Sequence, residues 1–352
     1  IVMAVLTGIY VIAGGYMATA INDFIQGIIM LFGICAVIAA VLQSKGGFTE
    51  AMHSLAEVQD PEATTMNGAF ASFLGPDPLN LLGVVVLTSL GTWGLPQMVQ
   101  KFYAINSENA IKKGTIISTL FAVVVSGGCY FLGGFGRLFS DQVDVVANGF
   151  DSIIPTMLSG LSDALIGLVV LLVLSASMST LSSLVIASSS TLTLDFINKN
   201  FIKDMSEKTQ VRMIRVLIVV FILISVVIAL IQYNSSVTFI AQLMGISWGA
   251  LAGSFLGPLI YGLYWKKTTK SGCWASFIFG AGTMILVMLC PQIFPAVLQS
   301  PINAGAFAMI ASLILVPVVS LLTPKPSDKL VDECFRCYEA PATVASKVAL
   351  PD

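Results

Sequence analysis

A run of hydroxyl side chains interrupts an apolar stretch at Leu174-Ser175-Ala176-Ser177-Met178-Ser179-Thr180-Leu181-Ser182-Ser183. The surrounding apolar pattern runs from about Ala164 to Leu194. That exceeds the roughly 20 residues a bilayer-spanning helix needs, so the hydroxyls fall near mid-membrane. On a helix Ala176, Ser179, Thr180 and Ser183 are linked by steps of three and four and share one face. The face offers the Ser179 and Thr180 hydroxyls and, where the backbone is free, the Ala176 carbonyl. Hard cations take several oxygen ligands, so this pattern reads as an ion site for Na+. The competing explanation is packing, because hydroxyls and small residues also line helix contacts in membranes and bond the preceding turn.

Other candidates lie at breaks in the apolar pattern. Gly14-Gly15 permits a tight turn that opens a new helix, and Asp23 then falls in its first turn. Asp23 either complements the positive helix end or faces an ion path. In Ser89-Leu90-Gly91-Thr92-Trp93-Gly94-Leu95-Pro96-Gln97-Met98, two glycines and a proline bracket an aromatic residue. A helix broken there frees backbone groups for a ligand, which makes Thr92, Trp93 and Gln97 substrate candidates; a plain proline kink is the alternative. Gln242 is the polar exception in a small-residue segment with Gly245, Gly249, Gly253, Gly257 and Pro258. It suits either a ligand contact or a hydrogen bond within the bundle, and the glycines predict close helix packing.

The elements that must hold these residues are membrane helices. The chain is 56% hydrophobic and 10% charged, with mean hydropathy +0.91, and its apolar runs are long and continuous rather than short and alternating. This predicts an all-α polytopic membrane protein, with lipid as its surroundings and no nucleic-acid partner. Nine apolar segments are expected, at about 1–18, 20–43, 80–99, 114–136, 163–194, 211–232, 237–264, 271–290 and 302–323. They make one transmembrane domain over 1–323, followed by a polar tail over 324–352 with no visible anchor. The last two spans read as lipid-facing scaffold. The chain begins inside an apolar run with no polar lead-in, as a piece of a longer protein would.

Charge orients the spans. With residue 1 outside, 15 of the 17 basic residues fall in inside loops and the tail, leaving only Lys45 and Arg137 outside. The positive-inside rule then puts the C-terminus in the cytoplasm, in a plasma (inner) membrane. The outside loops 44–79 and 137–162 carry no readable motif, and the acidic Asp141, Asp144 and Asp151 read as solvated. The one histidine, His53, sits in the first of these loops. Cys334 and Cys337 have metal or redox spacing but no second pair, and the other cysteines behave as small hydrophobes.

Four places resemble the sodium:solute symporter family, which carries proline, pantothenate, monocarboxylates, sugars or sialic acid. Tyr10 to Ala18 is similar to its double-glycine signature, with Tyr16 where Leu, Met or Phe is usual. Asn22-Asp23-Phe24-Ile25-Gln26 resembles its Thr-Asp-x-x-Gln helix start, with Asn for Thr. Met178-Ser179-Thr180-Leu181-Ser182 ahead of Asp195 looks like its sodium helix. Trp248 through Pro258, Leu263-Tyr264-Trp265 and Gly272 match its late glycine-rich pattern.

The resemblance covers the chain to about Thr323 and implies a LeuT-like inverted-repeat bundle around a midplane site. It implies that the chain begins within the fourth core helix. A first core helix, outside this sequence, would face the Ala176 carbonyl and the Ser179 and Thr180 hydroxyls across the main sodium. It further implies a second sodium between Asp23 and Ser179, Ser182 and Ser183. Gly94-Leu95-Pro96-Gln97 resembles pantothenate and monocarboxylate carriers more than the Gly-Gln-Pro form of proline carriers.

The expected activity is therefore sodium-coupled symport of a small organic acid by alternating access, with an amino acid such as proline as the alternative. Na+ is the coupling ion. The residues contain no Ser-His-Asp set, Walker loop or paired catalytic carboxylates, so an enzyme is not expected. A transporter-like sensor domain or a channel subunit are the rival classes.

Overall fold

Glycine and proline set the element boundaries. The computed structural model describes residues 1–60, 64–102, 105, 107–144, 149–234 and 240–338, in which every regular element is helical. Pro61, Asn148 and the far tail 339–352, with Lys347, lie outside the described residues. In chain order the helices are α1 (Val2–Ser44), α2 (Phe48–Glu57), α3 (Pro78–Gly94), α4 (Pro96–Phe102), α5 (Glu108–Phe121) and α6 (Gly127–Gly134). There follow α7 (Ile153–Leu158), α8 (Asp163–Ser190), α9 (Glu207–Asn234), α10 (Ile240–Tyr264), α11 (Lys270–Leu289), α12 (Pro301–Leu322) and α13 (Asp328–Phe335). Among the described residues seven helical runs are long and apolar enough to cross a membrane. The nine expected segments map onto these seven, once α1 is divided and the shorter apolar α3 is added.

The division of α1 lies at Gly15. Its 43 residues would span about 64 Å as one straight helix, twice the bilayer core. Gly15, at φ 62° and ψ −159°, breaks the run into arms 2–14 and 16–44. That conformation is essentially closed to residues with a Cβ. Its neighbour Gly14 is constrained differently, since a Cβ there would collide with the Ala18 side chain.

The chain forms two compact units, 1–73 with 114–238 and 74–113 with 239–352. In the first unit α1 packs along α8, and α8 along α9. Ile34, Val37 and Val41 of α1 join Leu132, Phe139, Met157 and Leu158 in one buried cluster. Ala4 and Val11 join Val185, Ile218 and Ile222 in another. The helix carrying the hydroxyls does not stop at Leu194. It continues through a π-helical turn, Thr191–Ile197, to Asn200, and Asp195 pairs with Lys199 at 2.7 Å. A second π turn, Ala122–Ser126, precedes Gly127-Gly128, where Gly128 lies against Ile34 and Ile38.

The long loops are more ordered than their polarity suggests. His53 lies in the amphipathic helix α2, whose Ala51 and Leu55 are buried with Phe135. Arg137 pairs with Asp60 at 2.7 Å and lies over Phe70, and Lys45 donates to the Leu138 carbonyl at 3.0 Å.

In the second unit α10, α11, α12 and α3 pack together. Gly245, Gly249, Gly253 and Gly257 form an i, i+4 stripe on α10. A Cβ at Gly249 would come within 2.6 Å of Gly305 Cα, and one at Gly257 within 2.5 Å of the Ser312 carbonyl. The close packing expected of these glycines is thus present, with α12 and α11 as the partners. The reading of the last two spans as lipid-facing scaffold is wrong for one face of each: Ser276, Gly280 and Met284 of α11 are buried, with Gly280 against the Gly253 backbone of α10, and α12 buries a face of its own. Ala304, Ala308, Met309, Ser312 and Val316 are all fully buried. Apolar character does not separate lipid-facing from protein-facing helices in a membrane; small residues at three- and four-residue steps do. Gly305, Ala308 and Ser312 were that signal.

Two prolines interrupt this packing, and each freed carbonyl finds a donor. Pro258 cannot bond the Ser254 carbonyl one turn back, and the Ser276 hydroxyl donates to it at 3.0 Å. Pro317 likewise leaves the Leu313 carbonyl, which accepts from Tyr261 Oη at 2.9 Å. Ser276 also shares a 2.7 Å hydrogen bond with Ser312, which accepts from the Gly257 N–H at 2.9 Å. Backbone groups left bare in hydrocarbon are costly, so such side chains are what let proline sit inside a membrane helix.

The tail is not free of contacts either. The short helix α13 carries Phe335, over which Lys266 lies at 5.6 Å, and Tyr338 donates to the Leu263 carbonyl at 3.0 Å.

Candidate functional site

The candidate ion residues all belong to the first unit, and α1 and α8 position them. Ser179 Oγ and Thr180 Oγ1 both donate to the Ala176 carbonyl, at 3.1 and 2.9 Å. Three oxygens therefore converge on one helical turn, as the spacing predicts. Ser179 is half-buried and Thr180 is exposed. Tyr10, from the first arm of α1, donates to the Met178 carbonyl at 3.2 Å and fixes that arm to the same stretch of α8.

A few residues further along α8, the second group assembles. Ser182 Oγ lies 3.4 Å from Asp23 Oδ1, and Ser183 Oγ lies 3.3 Å from Asp23 Oδ2. Ser182 also donates to the Ser179 carbonyl at 2.9 Å, which links the two groups. Asp23 does not lie in a first helical turn as expected. With the break at Gly15, it sits two turns into the second arm, beyond the reach of the helix-end dipole. The carboxylate instead faces hydroxyls from a helix that is 159 positions away in sequence. One carboxylate and several neutral oxygens are the donor types that small hard cations take.

The substrate candidates belong to the second unit. The break expected near Pro96 is found at Leu95, which is extended (φ −84°, ψ 116°) between α3 and α4. Gly94 meets Ala252 and Leu256 of α10 too closely for a side chain, and Gly91 is set against Trp248. Trp93 is 64% exposed. Thr92 Oγ1 turns back to the Ser89 carbonyl at 3.1 Å, and Gln97 in α4 is half-buried. Gln242 is half-buried in the first turn of α10.

Among the described residues no group of three or more His, Cys, Asp and Glu is placed to hold a metal ion. Cys334 and Cys337 are free and exposed. Tyr10 touches the hydroxyl-bearing stretch of α8, a contact that its residue type and its place in the double-glycine motif did not reveal.

A sequence profile of the sodium:solute symporter family matches residues 1–280. This chain belongs to the sodium:solute symporter family. It is 28% identical to the high-affinity proline transporter PutP of Bacillus subtilis, over 95% of the chain and 68% of that protein. It is 26% identical to a sodium/pantothenate symporter of Haemophilus influenzae, over 82% of the chain and 57% of that protein. A sodium/proline symporter of Staphylococcus aureus is 27% identical over 93% of the chain and 62% of its own length. The chain thus spans between 57% and 68% of these relatives. In fold it is similar to a Na+-coupled sialic acid symporter solved in a substrate-bound outward-open state. The TM-score is 0.66 at 16% identity, covering 92% of the chain and 66% of that structure. The LeuT-like helical fold of this symporter family and its multi-pass membrane character follow.

Proposed function

We propose that this symporter-family protein carries a small organic solute across the membrane with Na+ as the coupling ion, by alternating access. The observation that carries the proposal is the pairing of Asp23 with Ser182 and Ser183, linked through the Ser179 carbonyl to the Ala176–Ser179–Thr180 turn. Sodium on these oxygens favours one conformation and so raises the affinity for solute. The membrane potential adds about 2.3 kcal/mol per charge per 100 mV to inward movement. The work is done by binding and conformational change, without covalent chemistry.

We assign the main sodium to Ala176 carbonyl, Ser179 and Thr180, and a second to Asp23, Ser182 and Ser183. Solute contacts are assigned to Thr92, Trp93, Gln97 and Gln242. A small organic acid of the pantothenate or monocarboxylate kind is the favoured solute, supported by the Gly94-Leu95-Pro96-Gln97 pattern and a pantothenate-carrying relative. Proline is the second reading, supported by the proline-carrying relatives. The basic loops place the C-terminus in the cytoplasm.

The test is uptake of labelled pantothenate, acetate, pyruvate, proline and a sugar, with and without a sodium gradient, beside Ser179→Ala/Thr180→Ala. Sodium-driven uptake of one compound, shifted to much higher sodium in the double variant, is expected. Sodium-independent uptake, or a variant that behaves as wild type, would return the hydroxyls to a packing role.

A further inference from the structure

The seam between α1 and α8 holds a polar atom that the contacts above leave unused. Gln26 is 7% exposed, and among the described residues its Oε1 has no hydrogen-bond partner. A buried acceptor without a donor is unfavourable, and most such atoms in proteins are satisfied. Its position gives the reason it is tolerated.

Thr19, Gln26 and Gly33 are buried at seven-residue spacing on the second arm of α1. Ser175, Ser182 and Ser189 are buried at the same spacing on α8. Two contacts fix the register: Gly33 lies against Leu172, and Asp23 meets Ser182 and Ser183. The helices therefore run antiparallel, and Gln26, three residues on from Asp23, comes level with the Ser179–Ser182 turn. The unpaired oxygen thus belongs to the same stretch of seam as the Asp23 carboxylate, the two serine hydroxyls and the Ser179 carbonyl.

We propose that Gln26 Oε1 is a ligand of the Asp23 cation site and that its neutrality matches the site to a monovalent ion. The inference rests on the reading that Asp23 and its serines form a cation site. Those groups carry one formal charge, and Gln26 adds an oxygen without adding another. Ligand charge count and geometry set which hard cation a site prefers. One carboxylate among neutral oxygens balances Na+, whereas a second carboxylate in place of Gln26 would suit a divalent ion.

The test is equilibrium binding of 22Na+ to purified protein, for wild type, Gln26→Leu, Gln26→Glu and Asp23→Asn, with Ca2+ as competitor. Each variant is checked for a single monodisperse species. The expected result is that Asp23→Asn removes one class of sodium and that Gln26→Leu weakens that same class about tenfold, the loss of one neutral contact. Gln26→Glu lets Ca2+ displace the sodium of that class, as it does not in wild type. Unchanged binding in Gln26→Leu, with the class lost in Asp23→Asn, would overturn the role of Gln26 and leave the Asp23 site standing. Wild-type binding in both would remove the site itself. Weakened binding in Gln26→Leu with no effect of Ca2+ on Gln26→Glu would make Gln26 a packing residue and also overturn the proposal.

Discussion

Asp23 carries more of the functional argument than any other side chain. From its neighbours in sequence it is either a helix-end acid or an ion ligand. Residue types alone do not choose, because both roles want a carboxylate near a helix start. The observation that favours the proposed ion ligand is the position of Ser182 and Ser183, 159 and 160 positions away, whose hydroxyls lie 3.4 and 3.3 Å from its two oxygens. The Ser179 and Thr180 pair differs: its three-residue and four-residue steps from Ala176 make the convergence legible in the sequence. Replacing Asp23 by Asn keeps the shape but removes the charge. In proteoliposomes that carry the solute, Asp23→Asn is expected to lower the number of Na+ ions moved per solute from two to one, whatever the charge of the solute. A ratio of one in both proteins would leave a single sodium.

At the scale of the element, breaks matter more than propensities. Gly15→Ala places a Cβ in a glycine-only conformation, at a cost of about 1–3 kcal/mol. A lower melting temperature in detergent is the expected readout, with Gly114→Ala, where a Cβ meets open space, as the control. Ser276 acts on another break, that of Pro258. Ser276→Ala should cost about 1–2 kcal/mol by stripping the donor from the Ser254 carbonyl. In a Pro258→Ala background, where the backbone can bond that carbonyl itself, the cost should fall. Equal losses in both backgrounds, measured as a double-mutant cycle, would refute the donor role. The sequence announces each proline. It does not announce which hydroxyl answers it, because Ser276 and Tyr261 lie on other turns or other helices and meet the freed carbonyls only through packing.

For the whole molecule, the membrane sets the terms. The basic loops predict that Cys334 and Cys337, exposed in the tail, lie on the cytoplasmic side. A membrane-impermeant maleimide should therefore label them in inside-out vesicles and spare them in intact cells. Labelling in intact cells would reverse the orientation. Fold class, number of spans, the break near Pro96 and the glycine seam of α10 were all determined by the sequence, because bilayer thickness and backbone satisfaction leave few alternatives to long apolar helices. Tertiary structure alone decided which helices cover the buried face of α12, that the 44–79 loop folds a helix against Phe135, and that Gln26 is buried in the seam where Asp23 meets the serines of α8. Hydropathy is blind to these distinctions: in a membrane a helix facing lipid and one facing protein are equally apolar, so only the close approach of particular side chains separates them.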